Sequence, residues 1–268
     1  MEDQRLEHVS SRDGTRIAYW TSGQGSSLVV VHGVLADHSR WDVMRPCLDP
    51  RVTLHAVDRR GRGASGDAPE YDVGREFEDV AAVIDAVAAA SGSPVDVYGH
   101  SSGACYVMGA ARLTSNIRRM ALYEPPASGA KLFPPGLAER LSALLDAGDR
   151  EGVVETFCRE ALQMSDSDIA AYRSQPSWAG RIDAAHTLPR EINAAPEKLF
   201  DPAWAATIDV PALLFVGEQT TPGFKADAEK VAGTLPNVRT IVVPRQGHTG
   251  DAMAPSWVVQ KMLGFFRE

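Results

Sequence analysis

Strand-like apolar stretches recur along the chain: SLVVVHG at 27–33, VTLHAVD at 52–58, VDVYG at 95–99, VPALLFVG at 210–217 and NVRTIVVP at 237–244. A continuous run such as SLVVVHG suits a strand covered on both faces, as in a parallel sheet. Two shorter strand-like stretches, 5–11 and 15–21, open the chain, and Asp13-Gly14 between them signals a hairpin. Residues 75–91 carry helical spacing through Phe77, Val80, Val83, Ile84 and Val87. Helices are also expected over 39–48, 101–113, 223–234 and 255–267, and a strand over 118–124. Strand and helix thus alternate as in a wound parallel sheet of about eight strands with helices on both faces, an α/β fold. The alternation stops between 125 and 205. That stretch is punctuated by prolines and predicts helices at 136–147, 149–163, 166–174 and 179–186. It reads as a helical insertion between two parts of one core, 1–124 and 206–268.

Composition narrows the function. The 268 residues carry a formal net charge of −8 with scattered basic residues, which disfavours a nucleic-acid partner. No stretch approaches the length of a membrane span, and MEDQRLEHVS lacks a secretory pattern. Three cysteines, Cys47, Cys105 and Cys158, show no paired spacing. A cytoplasmic protein with reduced thiols is expected, without cofactor or metal motif; homo-oligomerisation is left open.

The chemistry concentrates at Gly99-His100-Ser101-Ser102-Gly103. A G-x-S-x-G pentapeptide between a buried strand and a helix forces a sharp turn and lifts its serine to the carboxyl edge of the sheet. Alone it is common by chance; the strand–turn–helix context makes Ser101 the candidate nucleophile. The Ser102 N–H, opening the helix, and the Val34 N–H, after the 27–33 run, are candidate oxyanion donors. His32 is expected to orient the Val34 loop. His248, in VVPRQGHTGD past the last strand, is the candidate general base.

Together HG at 32–33, DRRGRGASG at 58–66, GHSSG at 99–103 and GH at 247–248 resemble the α/β-hydrolase superfamily in order and spacing, across nearly the whole chain. The resemblance implies that 125–205 is the family's cap. It also implies an acid about three residues past Gly217, but Thr220 stands there. Some branches of the superfamily, certain haloalkane dehalogenases and the zearalenone-type lactonases, place the acid after the preceding strand; Glu124 in LYEPP matches that place. Glu218 and Asp251 are the alternatives, with Asp251 expected to cap or solvate the final helix.

A serine nucleophile attacks carbonyl carbon, so an ester or lactone of an apolar small molecule is the expected substrate. Cofactor-free haloperoxidases and carbon–carbon bond hydrolases share the pattern, and a small-molecule receptor on the same fold is the non-enzymatic alternative. Asp58 and the arginines after it are expected to brace their loop, and Cys105 to fill core. Leu132, Phe133, Phe157, Met164, Trp178 and Trp204 supply apolar surface to the insertion, with Trp178 the candidate substrate contact.

Overall fold

The apolar runs become strands of one eight-stranded sheet in a computed structural model, which describes residues 4–48, 52–128, 133–193 and 196–268. The strands are β1 (Arg5–Ser10), β2 (Arg16–Gly23), β3 (Ser26–Val31), β4 (Val52–Asp58), β5 (Val95–His100), β6 (Ile117–Tyr123), β7 (Ala212–Gly217) and β8 (Val238–Val243). Their order is β1-β2-β4-β3-β5-β6-β7-β8. β2 runs antiparallel to both β1 and β4; every other pairing is parallel. β5 and β7 are buried at every position, as their unbroken apolar runs require, whereas the edge strand β8 exposes half its residues.

Helices cover both faces. α1 (Val73–Ser91) begins where Asp72 accepts from the Gly74 N–H, and it stops at Gly92, whose φ of 73° an L side chain rarely adopts. It packs with α2 (Ser102–Ala110) over one apolar cluster that includes Val29, Val97 and Leu122. The opposite cluster, with Tyr98, Phe215 and Trp41, is closed by a C-terminal helix, Pro255–Phe266. The expected helix over 39–48 is instead two 3-10 turns, His38–Val43 and Arg45–Cys47. Pro46 explains the difference: it lacks an N–H, and its ring would clash with the carbonyl four residues back in an α-helix.

Between β6 and β7 the described chain is helical: α3 (Leu137–Asp146), α4 (Arg150–Glu160), α5 (Asp166–Arg173), α6 (Trp178–Ala184), α7 (Leu188–Asn193), α8 (Pro196–Leu199) and α9 (Pro202–Ala205). The last three were not expected; α8 and α9 each open on a proline, a residue suited to the first helical turn. α3 to α7 share a core of their own, including Leu141, Val154, Phe157, Tyr172, Trp178 and Leu188, and Leu35 from the sheet side joins it. Trp204 lies elsewhere, packed with Phe200 and Phe77 against the sheet's cluster. Leu132 is outside the described residues. After β7 come α10 (Pro222–Ala232), β8, the short α11 (Gly250–Met253) and the closing helix, α12. The carboxyl ends of β3, β5, β6, β7 and β8 all face the same edge of the sheet as the helical segment.

Candidate active site

At the end of β5 the chain reverses within one residue. Ser101 has φ 57° and ψ −129°, a conformation that costs on the order of 1–3 kcal/mol for a non-glycine residue. Its neighbours make the turn feasible by having no side chain. A Cβ on Gly99 would lie 2.6 Å from the Ala104 Cα, and one on Gly103 would lie 2.3 Å from the Val31 carbonyl oxygen. Gly33 is needed for a different reason: its Cβ would meet the Ser101 Cβ at 2.8 Å, so only glycine lets the loop after β3 approach the serine. Strain gathers around this edge. Four of the five described non-glycine residues with positive φ are Leu35, Ser101, Glu124 and Arg245, each in a loop at the carboxyl ends of the strands.

The candidate oxyanion donors flank the serine. Val34 and Ser102 both line the cavity that Ser101 opens into. Neither N–H donates to a protein acceptor among the described residues, and Ser102 opens α2, where backbone N–H groups are unpaired. His32 braces the loop from beneath. Fully buried, it lies 2.8 Å from the Gly33 carbonyl through Nδ1 and accepts the Arg59 N–H on Nε2 at 3.3 Å. Burial, then the charge of Arg59, hold its pKa well below the ordinary value, so it stays neutral and donates to Gly33.

His248 meets Glu124. The His248 Nδ1 lies 2.7 Å from Glu124 Oε2. The same oxygen accepts from the Thr220 hydroxyl at 2.9 Å, and Oε1 accepts from the Gly217 N–H at 2.7 Å. A carboxylate only accepts, so this contact puts the ring proton on Nδ1 and leaves the Nε2 lone pair available. Thr220 therefore occupies the position where the resemblance led one to look for the acid, and its hydroxyl serves the acid from the neighbouring strand. Glu218 is exposed and accepts the Arg245 N–H at 2.7 Å; it does not touch His248. Asp251 does not cap or solvate the final helix, contrary to expectation. It is buried within α11, held by Arg40 through two bonds of 2.7 and 2.9 Å and by the Tyr98 hydroxyl at 3.1 Å. Burial alone would raise its carboxyl, but Arg40 more than offsets this and holds it below the usual range.

Several residues that hold His248 were not anticipated, His100 among them although it stands inside the GHSSG motif. The His100 Nε2 lies 2.8 Å from the His248 carbonyl oxygen. Burial, then Arg40, push its pKa well below the ordinary value, so it donates there as a neutral ring. The Tyr123 hydroxyl donates to the Gly247 carbonyl at 2.7 Å, and the Phe224 ring stacks on His248 with centroids 3.9 Å apart. A hydrophobic, otherwise silent position in α10 thus fixes the plane of the imidazole.

Ser101 stands where two cavities adjoin. One is largely apolar, with Phe133, Phe157, Ile192, Leu199 and Phe224 among its walls. The other is bounded by His248, His100, Arg40, Arg181 and Tyr172. Ser101 and His248 share this second wall without a hydrogen bond closed between them, an open geometry common before substrate binds. Trp178 lines neither cavity, which corrects its expected role as a substrate contact. Its ring packs against Tyr172 in the core of the helical segment, and its Nε1 donates to Glu151 at 3.0 Å. Met164 packs against that core as well, while Cys105 is a fully buried core residue within α2.

The DRRGRGASG loop does brace itself. Asp58 accepts from the His38 N–H and ring, the Ala64 N–H and the Trp20 indole. Arg59 binds Glu76 (2.6 and 3.0 Å) and the Gly33 carbonyl (2.9 Å), and Arg59 and Arg62 both bind Glu191 on α7. Glu191 lines the first cavity, so this loop also ties the helical segment to the sheet. Burial would raise the Glu191 carboxyl; the two guanidinium groups lower it below the usual range instead.

Such an arrangement can place a hydroxyl, a base oriented by a carboxylate, and two free N–H donors around one reacting carbon. Among the described residues there is no cluster of three or more His, Cys, Asp or Glu able to hold a metal ion, and no helix is long and apolar enough to cross a membrane.

The chain is similar to several known proteins. The chain is 28% identical over 253 residues to N-formylmaleamate deformylase of Pseudomonas putida, covering 89% of this chain and 88% of the relative. It is 30% identical over 231 residues to the pimeloyl-[acyl-carrier protein] methyl ester esterase of Neisseria meningitidis serogroup B, covering 82% and 84%. Among solved structures, an alpha/beta hydrolase from Sphaerobacter thermophilus superposes with a TM-score of 0.78 at 35% identity, over 96% of this chain and 100% of that one. The profile of the alpha/beta hydrolase family matches residues 28–261. The elbow, the sheet order and this match lead to one conclusion: the chain belongs to the alpha/beta hydrolase family.

Proposed function

We propose that the protein is a serine hydrolase that cleaves a carboxylic ester or lactone of a mainly apolar small molecule through an acyl-enzyme. The observation that carries this reading is the Glu124–His248 contact, formed at the wall of the cavity that contains Ser101. In the proposed reaction His248 Nε2 takes the Ser101 proton as Oγ bonds to the carbonyl carbon. The oxyanion is received by the Val34 and Ser102 N–H groups; one such donor contributes about 2.7–4 kcal/mol in a comparable site. The bond to the leaving oxygen then breaks, and that oxygen takes the proton from His248. A water, deprotonated by the same ring, later hydrolyses the acyl-Ser101 ester and regenerates the hydroxyl. Glu124 stabilises the imidazolium throughout and keeps Nδ1 protonated.

The relatives support chemistry at a carbonyl, one being named a deformylase and the other a methyl ester esterase. On this reading residues 125–205 form a cap over a core made of 1–124 and 206–268. The separate apolar core of α3 to α7, and the contribution of Phe157 and Ile192 to the cavity wall, support it. A cytoplasmic location goes with the same proposal, on the sparse cysteines.

The test is labelling by a fluorophosphonate, with the adduct located by mass spectrometry, alongside a panel of p-nitrophenyl esters. Adduct on Ser101, lost in Ser101→Ala and His248→Ala, is expected. Absent labelling with a small molecule still tightly bound would favour the receptor alternative.

A further inference from the structure

The two cavities at Ser101 differ in charge balance. Around the first, Arg59 and Arg62 face Glu76 and Glu191, two cations to two carboxylates. Around the second, Arg40 is paired with Asp251, and among the described residues Arg181 forms no ion pair of its own, Asp251 acting on it only from beyond Arg40. Arg181 sits on α6 and is 2% exposed. Its Nη1 donates to the Leu35 carbonyl at 3.0 Å and its Nη2 to the Ser177 hydroxyl at 3.4 Å. The guanidinium lies 4.0 Å from the centre of the Tyr172 ring, and its Nε has no hydrogen-bond partner; neither has the Nε of Arg40. The other titratable walls add no negative charge. His100 is neutral, and burial pushes the Cys158 thiol up to about 11. Burial also lowers the Arg181 pKa, the mark of a cation short of compensation. A buried charge without a partner is costly, and a planar carboxylate is the monoanion that a guanidinium fork matches best.

The cavities also differ in which part of the reaction they border. Of the candidate oxyanion donors, Val34 lines both cavities and Ser102 only the first; His248, the proton donor to the leaving group in the proposed reaction, lines only the second. We propose that Arg181 marks a carboxylate subsite, so that the substrate is an ester whose leaving portion carries a carboxylate into the second cavity while an apolar acyl portion occupies the first. This rests on the serine-hydrolase reading for the direction of the substrate, but not for the existence of the subsite.

The experiment separates the two. Calorimetric titration of Ser101→Ala protein with benzoate and with benzamide, its uncharged counterpart, reads binding without turnover. Benzoate is expected to bind at least tenfold more tightly; Arg181→Gln erases the difference and Arg181→Lys restores part of it. With the active enzyme, 3-acetoxybenzoate is expected to exceed 3-acetoxybenzamide at least tenfold in kcat/KM, chiefly through KM, and the ratio falls towards one in Arg181→Gln. Equal binding of benzoate and benzamide to the Ser101→Ala protein, with Arg181 intact and the fold verified by its melting curve, overturns the subsite whether or not the Arg181 variants fold. An equal loss of both ligands in Arg181→Gln, with no change in their ratio, also overturns it, because Arg181 would then only latch α6 to Leu35. Preference for monophenyl succinate over phenyl butyrate, without the acetoxybenzoate preference, would move the carboxylate to the acyl side and refute the stated orientation. Benzoate binding that depends on Arg181 in a protein turning over no ester would keep the subsite and reject the hydrolase reading.

Discussion

The carboxyl ends of β6 and β7 lie side by side, with Tyr123 opposite Phe215 in register, yet they carry different chemistry. β6 leads into Glu124, fully buried with φ 43°, whose carboxylate receives His248, Thr220 and Gly217. β7 leads into Glu218, exposed and spent on the Arg245 N–H, and then into Thr220, a hydroxyl pointing back at Glu124. The difference is that the carboxylate opposite Nδ1 comes from the end of β6, while the end of β7 contributes only a hydroxyl and a backbone N–H that hold that carboxylate.

The largest test of this comparison is its reference point. Ser101→Ala is expected to reduce kcat by about six orders of magnitude, as loss of the nucleophile does elsewhere; steady-state kinetics on a p-nitrophenyl ester measure it. Glu124→Gln should cost about four orders in kcat, because an amide neither fixes the tautomer nor stabilises the imidazolium. A loss below tenfold would break the comparison outright. Placing the acid on the other strand sharpens it: Thr220→Asp in a Glu124→Ala background should recover at least about tenfold of the lost kcat, a coupling that a double-mutant cycle isolates. Failure to recover anything would mean that the end of β7 is out of reach of Nδ1. Thr220→Val removes one hydrogen bond to a charged group. A loss of about 1.5 kcal/mol, or about tenfold in kcat/KM, is expected, with the melting temperature down by a few degrees. Smallest is Glu218→Gln, an exposed change expected to stay within about 0.5 kcal/mol and threefold in rate.

What could be read from the linear chain followed from local rules. The interior strands were legible because both faces are buried, so the apolar runs are unbroken. The elbow was legible because its steric demand is met by small residues within five positions. Failures came where packing, and not the pattern along the chain, decides a residue's place. Trp178 was assigned to the cavity on apolarity, but an apolar ring satisfies either a core or a pocket wall, and only packing against Tyr172 decides between them. Asp251 looked like a helix-cap residue because Arg40, its partner, is 211 positions away. Phe224, which stacks on His248, has no spacing that announces it, and His100, inside the elbow motif, gives no sign in the sequence that it reaches the His248 carbonyl 148 positions away. Helix 39–48 failed on Pro46, a local signal that the apolar pattern outweighed.

By itself, then, the sequence determined the strand–helix alternation, the serine at the elbow and the histidine after the last strand, because each depends on backbone geometry or on residues a few positions apart. The tertiary structure decided which carboxylate faces Nδ1, which arginine lacks a counter-charge and which apolar residues line the cavity. Those are properties of distances between segments a hundred or more residues apart, and burial makes the distances count: away from water, a carboxylate or guanidinium is worth what its nearest partner makes of it.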